Sequence, residues 1–183
     1  MVVVVAAVGI SGSGKTTTVE YLISKLSSMG YNVGAIKHIH REGFTIDQEG
    51  KNTWRFSHAG AKITVAISPE EIAIIEKTKA ALNDLDKIVK FLESEKLDVI
   101  FIEGFHSFIS RRPEILKIIT AKNLEDLEKT LKVTVPPILA ITGLIAKNKP
   151  QKGKIPYIDL PEEGDKLLKL VKDHLDANVA KKN

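Results

Sequence analysis

Seven apolar residues, Val2 to Val8, open the chain. An apolar run of that length, valine-rich and with no polar alternation, predicts a strand buried on both faces, as in a parallel sheet. From Lys15 to Met29 the period changes. Val19, Leu22, Ile23 and Leu26 recur at helical spacing, and Gly30 is a plausible stop. Val33 to Lys37 reads as strand two, so this helix makes a right-handed crossover between parallel strands. In the usual order strand two lies beside strand one. The pattern then breaks from His38 to Gly60, a polar, aromatic and irregular segment too long for a simple turn. Within it a short helix is expected from Lys51 to His58. Lys62 to Ile67 and Ile72 to Glu76 follow as two short strands in a hairpin-like pair.

Beyond the hairpin the alternation resumes. Leu82, Leu85, Ile88, Val89 and Leu92 mark an amphipathic helix over Leu82 to Leu92. Strands are expected at Val99 to Ile102, Glu114 to Ile119 and Ile138 to Thr142, with a helix at Leu124 to Leu131 between the last two. A basic loop, Lys147 to Lys154, carries Pro150 and Gly153. Tyr157-Ile158 reads as a last short strand. Pro161 to about Ala177 reads as a closing helix, with Leu167, Leu168, Val171 and Leu175 inward. No repeat or linker interrupts the series. The expectation is an α/β fold over residues 1–183 as a single domain. Its sheet is doubly wound and mostly parallel, with a short antiparallel strand pair inserted after strand two.

Composition narrows the function classes. At 183 residues the chain can bury a real core without staples. It has no cysteine, which excludes disulfides, thiolate metal sites and a cysteine nucleophile. A net charge of +4, with carboxylates interspersed among the lysines, is mildly basic and argues against a nucleic-acid partner. Part of the excess sits in the tail, Lys181-Lys182. The apolar N-terminus is too short to span a bilayer and lacks a charged leader, so neither membrane nor export is expected, and the reading is cytoplasmic.

The first strand runs into Gly9-Ile10-Ser11-Gly12-Ser13-Gly14-Lys15-Thr16-Thr17. This matches G-x-x-x-x-G-K-[ST] at every fixed position, between a strand and a helix, which makes it a P-loop. Gly9, Gly12, Ser13 and Gly14 curl the backbone so that N–H groups point at phosphates, and the following helix adds its positive end. Lys15 can reach the β- and γ-phosphates, Thr16 can hold Mg²⁺, and Thr17 closes the cradle.

Ligands in such sheets bind outside the carboxyl ends of the strands. Asp98 opens its strand and lies at the wrong edge, roughly 16 Å from Glu103. Glu103 is therefore the candidate to hold Mg²⁺ or to orient a nucleophile; its plainer role is a loop carboxylate accepting backbone N–H bonds. Lys37, His38 and His40 leave strand two on the same edge, where they can bind an anion or a metal, or serve as polar loop residues. Asp47 either supplies an outer contact to Mg²⁺, acts as a base toward water, or is a turn residue. Lys51, Arg55 and His58 form either a phosphate-facing or a solvated basic face. Arg111 and Arg112 either meet a second anion or are exposed loop arginines. Asn148-Lys149 begins like N-K-x-D, the guanine-reading motif, but its fourth position is Gln151, which has no carboxylate. The residues alone leave the base unassigned.

The set GISGSGKTT, KHIH, Asp47, GKNTWRFSHAGA and DVIFIEGF resembles the molybdopterin-guanine dinucleotide biosynthesis adapter protein B (MobB) family. The resemblance runs to about Pro113. Three positions depart from the family pattern: Arg41 replaces a histidine, Asn52 an acidic residue and His106 a lysine. The resemblance implies a homodimeric GTP-binding protein using Mg²⁺, with weak GTPase activity. It would assist the molybdopterin guanylyltransferase that joins GMP to molybdopterin. In that reading Lys15, Glu103 and Asp47 serve hydrolysis. Two other readings compete. One is a small-molecule kinase using ATP, with Asp47 as base and Arg41, Arg55, Arg111 and Arg112 as lid charges. The other is a metal carrier using His38 and His40.

Overall fold

The computed structural model describes residues 2–77, 85–148 and 154–180. The chain forms two compact units, Met1–His38 with Asp86–Asn183, and Ile39–Leu85.

The first unit is built on five parallel strands: β1 (Val3–Val8), β2 (Val33–Lys37), β5 (Val99–Glu103), β6 (Leu116–Thr120) and β7 (Ile138–Thr142). Their order is β2-β5-β1-β6-β7. Strand two is thus not beside strand one, as the sequence suggested. β5 lies between them, pairing Val3 with Val99 on one side and Val33 with Val99 on the other. The crossover through α1 (Lys15–Ser28) therefore skips a place that β5 later fills.

Alternation in each strand assigns its residues to two faces. Val5, Ala7, Val99, Phe101, Leu116 and Ile118 join the core cluster with Leu22 and Leu26 of α1 and Leu167, Val171 and Leu175 of α7 (Gly164–Ala180). The opposite faces, with Ala6, Ile100, Ile102 and Ile119, are also buried. Helix α5 (Leu124–Val133) packs on β6. Its N-cap, Asn123, accepts a hydrogen bond from the Asp126 amide at 2.9 Å. The doubly wound expectation holds.

Several boundaries differ from the sequence reading. Helix α7 begins at Gly164, not Pro161, because residues 161–163 form a turn in which the Glu163 amide donates to the Asp159 carbonyl at 2.8 Å. Tyr157 makes one parallel bridge to Ile141 rather than a strand. β5 extends through Glu103, and β6 starts at Leu116, two residues later than expected. Helix α3 (Leu85–Glu93) keeps the expected periodicity, but Ile88 and Phe91 stay exposed, and its predicted start at Leu82 lies outside the described residues. So do Lys149, Pro150, Gln151, Gly153 and the Lys181-Lys182 tail. Two short helices, α4 (His106–Ile109) and α6 (Leu144–Asn148), have no counterpart in the sequence reading.

The second unit holds α2 (Asn52–His58) and an antiparallel hairpin of β3 (Ile63–Ile67) and β4 (Ile72–Glu76), as expected. One hairpin face turns Thr64 inward, where it shares a hydrogen bond with Ser57 of α2 at 3.2 Å. The other face presents Ile63, Val65, Ile67, Ile72 and Ile74, all exposed.

Candidate functional site

Strand parity builds the site. Glu103, Thr120 and Thr142 end β5, β6 and β7 on the face that α1 covers, and each meets a residue of the loop-helix segment that follows β1. Thr16 Oγ1 donates to Glu103 Oε2 at 3.0 Å and Oε1 at 3.1 Å. Ser13 Oγ lies 2.6 Å from Thr120 Oγ1, and Thr18 Oγ1 lies 3.0 Å from Thr142 Oγ1. The glycine loop is therefore tied to three strand ends at once. Gly14 occupies the left-handed region at φ 101°, which lets the loop turn into α1 with its amides facing the cradle. No other residue type takes that conformation as cheaply.

Lys15, the first residue of α1, folds back over the loop. Its Nζ donates to the carbonyls of Gly9 at 2.9 Å and Ile10 at 2.5 Å. Burial lowers its pKa from the ordinary lysine value; Glu103 opposes that shift and Lys37 adds to it. Lys37 pairs with Glu103. The β2–β5 register sets Lys37 opposite Glu103, so the unexpected strand order is what brings Lys37 to the site. The Glu103 loop is braced by His38, whose amide donates to the Glu103 carbonyl at 2.8 Å. The His38 ring stacks on Phe105 at 4.1 Å between centroids. His106 follows; burial, and secondarily the Lys15 ammonium, lower its pKa.

A cavity lined by Ser11, Lys15, Thr16, Lys37 and Glu103 occupies this edge. The residues fit Mg²⁺. It takes oxygen ligands in an octahedron at about 2.0–2.1 Å, whose neighbouring ligands stand about 3 Å apart. Thr16 Oγ1 and the Glu103 carboxylate have that separation. Among the described residues no three His, Asp or Glu side chains cluster as metal ligands. This leaves the remaining positions to water and phosphate, as Mg²⁺ prefers.

Other candidates lie elsewhere. Asp47 belongs to the second unit, where its Oδ1 accepts from Thr53 Oγ1 at 2.8 Å and from the Gln48 amide at 2.9 Å. The Arg112 guanidinium pairs with Asp86 at 2.6 Å and Glu114 at 2.5 Å, so it is a structural cross-link rather than an anion clamp. His58 stacks on Trp54 at 3.6 Å. Asp98 accepts from the Asn32 amide at the far edge, as predicted.

A second cavity, of about 290 Å³, adjoins the same loop. Gly12, Gly14 and Thr17 line both cavities; the second is lined further by Ser13, Thr18 and Gly143 and by Leu144, Lys147, Asp159 and Leu160. The sequence reading missed Asp159. The signal was present, since an acidic residue directly after the apolar pair Tyr157-Ile158 stands at a carboxyl edge just as Glu103 does.

Residues 4–137 match the family model of molybdopterin guanine dinucleotide synthesis protein B. A molybdopterin-guanine dinucleotide biosynthesis adapter protein of Haemophilus influenzae is 36% identical over 97 residues, about half of each chain. The Escherichia coli protein of the same name is 33% identical over 120 residues, 65% of its length. A probable adapter protein of Bacillus subtilis is 30% identical over 138 residues, 74% of this chain and 75% of that one. The crystal structure of Bacillus subtilis MobB superposes with a TM-score of 0.69 at 28% identity, covering 91% of this chain and 96% of that one. None of these relatives bears a kinase's name, and the kinase alternative draws no support from them.

Proposed function

The chain belongs to the MobB family, and from that membership we propose that it is a GTP-binding adapter with weak GTPase activity. In this reading it assists the cytoplasmic attachment of GMP to molybdopterin by a guanylyltransferase. The observation that carries the proposal is the Thr16–Glu103 contact at the head of the glycine loop, with Lys15 and Lys37 on either side. Gly9, Gly12, Ser13, Gly14 and Thr17 shape the cradle, and its amides bind phosphate oxygens. Lys15 exchanges the loop carbonyls for the β- and γ-phosphates. Thr16 and Glu103 would hold Mg²⁺, which when bound neutralises phosphate charge. Glu103 also accepts a hydrogen bond from an attacking water.

The partners we propose are the guanylyltransferase and a second copy of the chain. The support for a homodimer is the outer hairpin face, where Val65 stands opposite Ile74 and Ile67 opposite Ile72, all exposed. A two-stranded hairpin with an open apolar face is marginal by itself, and apolar patches of this kind mark interaction surfaces. Among the described residues no helix is long and apolar enough to cross a membrane.

The test is calorimetric titration of the Mg²⁺-loaded protein with GTP and ATP side by side, followed by an assay of guanylyltransferase output with and without the protein. Preferred GTP binding and raised output are expected. Preference for ATP, or no effect on output, would overturn the proposal.

A further inference from the structure

The two cavities share the glycine loop but differ in chemistry. The Lys15–Thr16–Glu103 side suits the distal phosphates and the metal. A nucleoside triphosphate laid along the loop then carries its sugar and base toward the other cavity. That cavity's volume lies at the small end of the range for small-molecule sites and suits one nucleoside. Its walls are also of the right kind. Leu144 and Lys147 stand one helical turn apart on α6. Leu144 is 57% exposed, an apolar side chain left open beside a phosphate loop. Leu160 contributes a second apolar wall. A planar base packs between such groups, with the aliphatic stem of Lys147 covering its edge.

The carboxylate lining this cavity is that of Asp159, beside the hydroxyls of Ser13, Thr17 and Thr18 and the Lys147 ammonium, and the Asp159 backbone is fixed. Ile158 is buried and its amide donates to the Ile141 carbonyl at 2.9 Å, so Asp159 is the first residue past the carboxyl edge of the sheet. Its own amide donates to Glu163 Oε2 at 3.3 Å and its carbonyl accepts from the Glu163 amide at 2.8 Å. The backbone is pinned on both sides of the side chain. The opposite wall is pinned as well. A Cβ at Gly143 would collide with the carbonyls of Ser13 and Ala121, so α6 begins in direct contact with the glycine loop.

We propose that this second cavity is the nucleoside pocket and that Asp159 is the residue that selects guanine, its carboxylate accepting both the N1–H and the exocyclic N2–H of the base. The inference rests on the GTP-binding reading above and names the residue that sets its specificity. The chemistry is one-sided. Guanine offers two adjacent donors, which an ionised carboxylate takes with two parallel hydrogen bonds. Adenine presents an acceptor, N1, at the corresponding position, and would set its lone pair against the carboxylate. The carboxylate missing from Asn148-Lys149-Pro150-Gln151 is thereby supplied from a different strand end.

The test is equilibrium titration of the full-length protein and of Asp159→Asn with the Mg²⁺ complexes of GTP, ITP, XTP and ATP. Inosine lacks the 2-amino group, and xanthine replaces it with a carbonyl that an asparagine amide can donate to. The wild type should bind GTP more tightly than ITP. Asp159→Asn should lose GTP affinity on the order of 10- to 100-fold and gain XTP. Unchanged GTP affinity in the variant overturns the assignment. If the variant does not fold, the wild-type ratio decides, because equal affinity for GTP and ITP overturns it too. In either of these outcomes, GTP binding by the wild type leaves the adapter reading standing. A wild type that binds no nucleotide at all overturns both.

Discussion

The two units of this chain treat their apolar residues in opposite ways. In the unit that carries the glycine loop, both faces of the sheet are covered, and Val5, Ala6, Phe101, Ile102 and Ile119 are almost wholly inaccessible. In the unit from Ile39 to Leu85, α2 buries none of its residues fully and the hairpin leaves five aliphatic side chains on its open face. The difference fits the roles we propose for each. Phosphate chemistry needs donors held in place, and a parallel sheet buried on both faces holds its strand ends rigidly enough to fix Glu103, Thr120 and Thr142 against the loop. An apolar hairpin face does no chemistry of its own and suits contact with another chain.

The sharpest way to break this contrast is to truncate one residue in each region. Leu22→Ala empties a fully buried position between α1 and the sheet and should cost about 2–5 kcal/mol in urea unfolding. Ile46→Ala, in the second unit but outside the hairpin and 87% exposed, should change stability by no more than about 0.5 kcal/mol. Equal losses would deny the contrast. Next in size, Ile74→Lys puts a charge on the open hairpin face. In the homodimer we propose, this variant should dissociate on the order of 100-fold more readily by sedimentation, because the lysine would be desolvated in that interface, and unchanged dissociation would overturn the interface. GTP affinity of the same variant should stay as in the wild type.

Smaller effects sharpen the account within the nucleotide unit. Glu103→Gln keeps the shape and the Thr16 hydrogen bond but removes the charge. The Mg²⁺-dependent part of GTP affinity should fall about tenfold, while affinity measured in chelator should fall no further, since a negative charge near the phosphates has gone. The smallest effect is pH dependence. Burial and the Lys15 ammonium depress the His106 pKa in the folded protein, so the unfolded chain takes up this proton more readily. Stability should then decline as pH falls below about 6.5, the unfolded value, and level off below the folded one. His106→Gln should flatten that part of the thermal-stability profile, and an unchanged profile would remove His106 as its source.

The sequence carried the elements better than their arrangement. The run Val2 to Val8 and the spacing of Val19, Leu22 and Leu26 are direct consequences of burial, so β1 and α1 were legible. The place of β5 between β1 and β2 was not, because an apolar run such as Val99 to Ile102 is compatible with any interior position. That one fact moved Lys37 from the neighbourhood of the P-loop strand to a direct ion pair with Glu103. Glu103 itself was legible from the rule of strand carboxyl ends, as Asp159 should have been by the same rule. The short helices α4 and α6 span too few residues to show a period. Pro161 favoured a helix start, but the Asp159–Glu163 turn takes the positions before Gly164.

The proposal that the Lys15–Thr16–Glu103 edge binds Mg²⁺-GTP stands or falls on calorimetric titration of Mg²⁺-GTP into the wild type and Lys15→Ala. Loss of the ammonium contact should weaken binding about 10- to 100-fold, with the fold retained by circular dichroism. A folded Lys15→Ala that binds GTP as tightly as the wild type would contradict the account.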